Sequence, residues 1–147
     1  MIKIICVGKL TQQYLKTGIE HYNKQITHKI NWIEVNDENQ SNGMQVEKQR
    51  IFERLNPDDF VVSLAIEGKQ YSSEKFAREF DKWLTYQPHD VVFIIGGSNG
   101  LDEEVKKRSQ VLLSFSPLTF PHQLMRLILI EQIYRAAMIH KNHPYHK

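Results

Sequence analysis

The chain of 147 residues has one cysteine, Cys6, so it forms no intramolecular disulfide, and disulfide-stapled scaffolds are excluded. Long apolar runs are also missing. Met1 to Val7 is apolar, but Gly8 and Lys9 end it too early for a signal peptide or a membrane span. Neither sign of charge dominates, since 19 Lys and Arg face 17 Asp and Glu for a net of +2, which excludes a polybasic or polyacidic chain. Seven glycines and five prolines are too few for a low-complexity or linker-rich protein, and no repeat divides the sequence. What remains is 41% hydrophobic and 24% charged, the balance of a globular protein with one substantial core. The expectation is one domain over residues 1–147, free of the membrane, with Cys6 a buried thiol in a reducing cytoplasm.

The core-forming residues alternate between two periods. Ile2 to Val7, Ile30 to Val35, Asp59 to Ile66, Val91 to Ile95 and Val111 to Phe115 read as five strands, the third stopped by Glu67-Gly68-Lys69. Between them, Gln12 to Gln25, Met44 to Leu55, a segment capped by Ser72 or Ser73 and running through Leu84, Asp102 to Arg108, and Pro121 to His140 read as helices. In the second helix Val46, Ile51, Phe52 and Leu55 are expected to face the core. Strands without polar alternation, separated by helices, predict an α/β fold with a mainly parallel sheet covered on both faces.

The last helix is apolar around almost its whole circumference, with Leu124, Met125, Leu127 to Ile130, Ile133, Tyr134 and Ala136 to Ile139. Such a helix needs cover on every side. One side is expected to pack on the sheet and the other on a second subunit.

Two loops leave neighbouring strands in specialised ways. Gly96-Gly97-Ser98-Asn99-Gly100 removes Cβ atoms where backbone must approach closely or adopt positive φ. It matches the G-x-S-x-G elbow of hydrolases, but the only later acids are Asp102, Glu103, Glu104 and Glu131, and the chain is too short for that fold. A phosphate cradle fits no better, because Asp102, Glu103 and Glu104 open the following helix and repel an anion there. A ligand without phosphate, such as S-adenosylmethionine with its cationic sulfonium, suits the loop. The second loop, Phe115 to Phe120, is stiffened by Pro117 and followed by Pro121, so its main chain can read a purine edge without a large ordering cost. A plain strand-to-helix turn with Pro121 at the first helical position accounts for the same residues. Paired loops at strand ends are where open α/β sheets bind ligands.

Charge is uneven along the chain. From Lys106 onward there are seven Lys and Arg residues against Glu131 alone, which points to a polyanionic partner or to a solvated basic tail. His140, His143 and His146 recur every third residue, yet Pro144 interrupts the helix and no carboxylate or cysteine adjoins, so no metal site is expected. A flexible basic and aromatic tail able to stack on bases fits better.

Taken in order, Val7-Gly8-Lys9, Leu64 to Lys69 (LAIEGK), Ile95 to Gly100 (IGGSNG), Ser114 to Phe120 (SFSPLTF), Pro121 to Arg126 (PHQLMR), Glu131 to Arg135 (EQIYR) and Pro144 to Lys147 (PYHK) resemble the RlmH family. These are SPOUT-class methyltransferases acting on a pseudouridine of bacterial large-subunit ribosomal RNA. The motifs span the chain, and those from Ile95 to Arg135 are highly specific. Two departures are a short segment between Val35 and Val46 and a final Lys147 where arginine is common.

The resemblance implies a sheet whose C-terminal part is tied into a trefoil knot, and a homodimer. It implies methyl transfer from S-adenosylmethionine to N3 of a pseudouridine in 23S ribosomal RNA, naked or on assembled ribosomes, without a metal. Donor contacts carried over from the family fall at Leu64, Gly96, Phe115, Ser116, Pro117, Leu118, Thr119 and Phe120. The proton on N3 must leave, with His122 or His146 as the base. Arg126, one turn after His122, is a candidate to hold a phosphate or developing anion. Arg135 is another, against a plain i,i+4 pairing with Glu131, and Tyr145 with Lys147 is suited to hold a flipped-out base. A donor-binding module without catalysis, or a SPOUT enzyme acting on ribose or transfer RNA, are the other readings.

Overall fold

A computed structural model describes residues 1–38, 42–87 and 89–147. The segment expected to be short, between Val35 and Val46, includes residues 39–41, which lie outside the described residues. Five strands, β1 (Ile2–Val7), β2 (Ile30–Val35), β3 (Phe60–Gln70), β4 (Val91–Ile95) and β5 (Val111–Ser114), form one sheet in the order β2-β1-β4-β3-β5. Every pairing among them is parallel. Five helices connect or follow the strands: α1 (Gln13–Asn23), α2 (Gly43–Phe52), α3 (Ser73–Tyr86), α4 (Glu103–Arg108) and α5 (His122–His140).

The period of two along each strand sends side chains to opposite faces, and both faces are dry. Ile4, Cys6, Val62, Phe93 and Leu113 pack under α1, α3 and α5, while Ile5, Val7, Val61, Val92 and Ile94 pack under α2 and α4. That two-sided burial is why the strands read as continuous apolar runs. Burial pushes the Cys6 thiol up to about 12, so it stays protonated.

Helix starts follow local chemistry. The Ser72 hydroxyl accepts from the Lys75 amide, a cap expected from the sequence, and the Asp102 carboxylate accepts from the Glu104 amide, so Asp102 caps α4 instead of being its first helical residue. Pro121 sits one place earlier than expected, as the residue before the first turn of α5, with extended backbone.

Three expectations are corrected. The third strand does not stop at Glu67-Gly68-Lys69. It continues to Gln70, with Leu64 and Lys69 both opposite Leu113, so residues 65–68 bulge out of the ladder. Gly68 makes this feasible, because a Cβ there would lie 2.6 Å from the Leu112 backbone. In α2, Val46 is only half-buried, and the neighbouring Glu47 is buried instead, its carboxylate accepting from the Glu38 amide at 2.8 Å.

The third correction concerns the tail. Asn142 takes positive φ (57°), and the amides of Asn142 and His143 donate to the carbonyls of Ile139 and Met138, a Schellman closure that reverses the chain. The tail is thus folded onto its own protomer. Tyr145 packs edge-on against Tyr134, with ring centroids 4.8 Å apart, and under the Arg135 guanidinium, also 4.8 Å from its ring. The His146 imidazole bridges Arg135 (3.0 Å, Nδ1) and Glu74 (2.6 Å, Nε2). Arginine only donates and a carboxylate only accepts, so neutral imidazole with its proton on Nε2 satisfies both. That bond, first among its causes, holds the Glu74 carboxyl below its usual range.

Around α5, no residue of the apolar set from Leu124 to Ile139 is left exposed within the protomer, because α1 and α3 flank it above the sheet. Leu129, Ile130, Ile133, Tyr134, Ala136 and Met138 are buried by the chain itself, while Leu124, Met125, Leu127, Ile128, Ala137 and Ile139 stay only partly covered.

Candidate methyl-donor site

The β3 bulge, the β4–α4 loop and the β5–α5 loop meet at the carboxyl ends of β3, β4 and β5. Between them lies a cleft of about 580 Å³, within the range of small-molecule sites. Leu64, Ala65, Ile66 and Glu67 form one wall, Gly96 and Gly97 the second, and Phe115, Ser116 and Leu118 to Phe120 with His122 and Met125 the third. Of the eight expected donor contacts, Leu64, Gly96, Phe115, Ser116, Leu118, Thr119 and Phe120 line this cleft. Pro117 does not; it is exposed at the bend of its loop, where it sets the turn.

Both glycine-rich and proline-bearing loops are preformed. Gly100 at φ +79° closes a tight bridge back to Gly97, its amide donating to the Gly97 carbonyl at 3.0 Å. Gly96 is small for the sake of that same loop: a Cβ would meet the Gly100 carbonyl at 2.7 Å, not open ligand space. In the other loop the Ser114 hydroxyl donates to the Ser116 carbonyl, and the Leu118 amide donates to the Ser116 hydroxyl. Such internal bonding lowers the ordering cost of binding.

The cleft walls are largely apolar, with one ion pair at the lip. Lys106 lies 2.6 Å from Glu67 and 3.4 Å from Glu103. The hydrogen bond from Lys106 holds the Glu67 carboxyl below its ordinary range, and the same bond raises Lys106. The start of α4 is already capped by Asp102 and followed by Glu103 and Glu104, so it offers no anion site. An uncharged aromatic ring with a polar or zwitterionic extension fits these walls; a polyphosphate does not.

The remaining candidate residues separate into three places. His122 lines this cleft and stands beside Gly8, whose φ is +98°. Arg126 is buried, 2% exposed, and does not line the cleft. Its guanidinium donates to Glu34 and, at 2.8 Å, to the Gly8 carbonyl. Glu34 in turn accepts from the Leu10 amide at 2.9 Å. Arg126 thus holds the Gly8–Leu10 turn in place, which leaves it poorly placed to take a substrate phosphate. Burial raises the Glu34 carboxyl, but hydrogen bonds from Arg126 and Leu10, with the charges of Arg126 and Lys9, outweigh burial and leave it lowered.

Arg135, Tyr145 and His146 cluster on the far flank of α5. Arg135 makes the i,i+4 pair with Glu131 at 3.0 Å that was the simpler reading of that spacing. None of the three lines this cleft. His140 and His143 have separate partners, Asp81 and the Tyr145 amide, and no group of metal-ligating side chains occurs among the described residues.

Sequence reasoning missed two parts of this arrangement. Ala65 to Glu67 enter the cleft only because β3 bulges, and Glu34 becomes part of the site's frame only through a contact 92 residues away in sequence. Gly68 within the strand pattern is the local signal for the bulge, whereas nothing local marks the Glu34 contact.

A family model described as "Predicted SPOUT methyltransferase" matches residues 1–146. The chain belongs to the SPOUT methyltransferase family. SPOUT relatives named "Ribosomal RNA large subunit methyltransferase H" align over 99% of this chain and 99% of their own length. They are 48% identical in Exiguobacterium sp. and in Streptococcus thermophilus, and 49% in Lactiplantibacillus plantarum. These alignments extend over 157 residues, so the relatives carry positions with no counterpart in this SPOUT chain. Among the described residues no helix is long and apolar enough to cross a membrane.

Proposed function

We propose that this protein methylates large-subunit ribosomal RNA at N3 of a pseudouridine, using S-adenosylmethionine, in the cytoplasm. The observation that carries the reading is the preformed three-loop cleft in a chain aligned end to end with methyltransferases of that name. Leu64, Phe115 and the main chain from Ser116 to Phe120 would hold the adenosine, and Glu67 with Lys106 would face the charged amino-acid end. When bound, the donor supplies an electrophilic methyl group on a sulfonium that leaves as a neutral thioether.

The chain's own task is positioning and proton removal. Rigid loops favour in-line approach by limiting the freedom of the reacting groups. His122, in the cleft wall, is the base that accepts the N3 proton. Arg126 and Glu34 act through it, by fixing the turn against which His122 packs.

The functional unit is a homodimer with a knotted C-terminal half. A protomer's tail is folded away from its own donor cleft, so Tyr145 and His146 serve in the partner's site if they touch substrate. The test is methyl transfer from labelled donor to ribosomes and to naked 23S RNA lacking the modification, followed by mass mapping. A methyl on pseudouridine N3 supports the reading. Donor binding without transfer, or a methyl on ribose or transfer RNA, overturns it.

A further inference from the structure

His122 stands in the wall of two clefts. Adjoining the donor cleft through His122 lies a second one, about 550 Å³, built from the turn after β1, the segment after β2, Arg50 of α2, and the first residues of α5. Its chemistry differs from the donor cleft. Lys9, Thr11, Asn36, Arg50 and Gln123 supply cations, hydroxyl and amides, and Asp37 and Glu38 two carboxylates, the latter paired with Arg50, where the donor cleft is mostly aliphatic and aromatic. A volume of this order accommodates a nucleotide.

Its walls are held in place from behind. Arg50 donates to the Asn36 carbonyl at 2.8 Å and lies 3.5 Å from Glu38, which fixes the β2 side. The Thr11 amide donates to Gln123 Oε1 at 2.9 Å, and Gln123 Nε2 donates to the Thr11 hydroxyl at 3.2 Å, which ties the β1 side to α5. Arg126 and Glu34 anchor the intervening turn at Gly8 and Leu10. Lys9 projects from that turn and is exposed, so its ammonium is the cation placed to meet a phosphate. Amide and hydroxyl groups suit the donor and acceptor pattern of a pyrimidine edge.

We propose that this polar cleft receives the flipped-out target nucleoside, its phosphate at Lys9 and its base at the His122 junction where the two clefts meet, with N3 turned toward the donor's methyl group. The inference deepens the proposed function and rests on it. It assigns Lys9, Thr11 and Gln123 to acceptor binding and leaves donor binding to the other cleft.

The experiment uses the full chain and ribosomal RNA carrying 4-thiouridine at the target position. Crosslinked peptides are mapped, and calorimetry with S-adenosylmethionine and transfer kinetics are run on wild type, Lys9→Ala, Lys9→Arg and Gln123→Ala. Crosslinks to residues 8–11, Arg50 or 122–123 are expected. Lys9→Ala should lower kcat/KM for RNA about tenfold, mostly through KM, as loss of one charged contact does. Donor affinity should stay within about twofold, and Lys9→Arg should recover most of the loss. Crosslinks confined to the donor loops or the tail, or wild-type kinetics in both alanine variants, would overturn the acceptor assignment while leaving the methyltransferase reading intact. Failure of wild type to bind the donor would overturn both.

Discussion

Arg126 and Glu34 form a pair whose two halves should respond unequally to removal. Arg126→Met takes away a charge buried to 2% exposure and leaves the buried Gly8 carbonyl without its donor. An orphaned buried acceptor costs about 1–3 kcal/mol, and the freed Glu34 side chain, 44% exposed, can rehydrate, so a loss of about 2 kcal/mol is expected. Glu34→Ala does the reverse. It leaves a guanidinium with 3% side-chain exposure on one carbonyl, with an Nε that already has no partner. Breaking a fully buried pair costs about 3–5 kcal/mol; water reaching position 34 reduces this to about 3. The double variant should lose about 2 kcal/mol, close to Arg126→Met alone, because the stranded charge is gone. Urea unfolding at fixed protein concentration measures all three, holding any dimerisation constant. Additive single effects would refute the shared-charge argument. A pH arm adds an independent check. The folded Glu34 carboxyl is lowered, so its contribution is present above the unfolded carboxylate range near 4.5 and lost as pH falls through the folded value. That acid-dependent loss should be missing from Arg126→Met.

Three further outcomes follow from particular contacts. Gly96→Val should abolish donor binding with a folded chain, by forcing the Gly100 carbonyl away and distorting the loop; calorimetry showing wild-type affinity would contradict this. Cys6 should resist thiol reagents in the folded protein at pH 8 and react rapidly in denaturant, since burial raises it to about 12; fast native labelling would show that β1 opens. Deleting Tyr145 to Lys147 should spare donor affinity, lower methyl transfer sharply, and cost about 1–2 kcal/mol of stability through loss of the Tyr134 and Arg135 packing, read by transfer assay and urea unfolding. Transfer at the wild-type rate would leave the tail a purely structural role.

The sequence alone determined the alternation of strands and helices, because the short continuous apolar runs of Ile2–Val7 and Val91–Ile95 and the cap at Ser72 are local properties of the chain. It also marked the two loops that line the cleft, since Gly96 to Gly100 and Phe115 to Phe120 carry residue types whose backbone limits are intrinsic. Only tertiary structure decided the rest. Strand order, the continuation of β3 past Gly68 and the entry of Glu67 into the cleft depend on which strand lies beside β3, which no local pattern encodes. Arg126 and Arg135 carry the same charge on the same helix. Yet one is sealed under Glu34 and Gly8 and the other lies beneath a returning tail, because burial is set by the neighbours that folding brings, not by the residue itself.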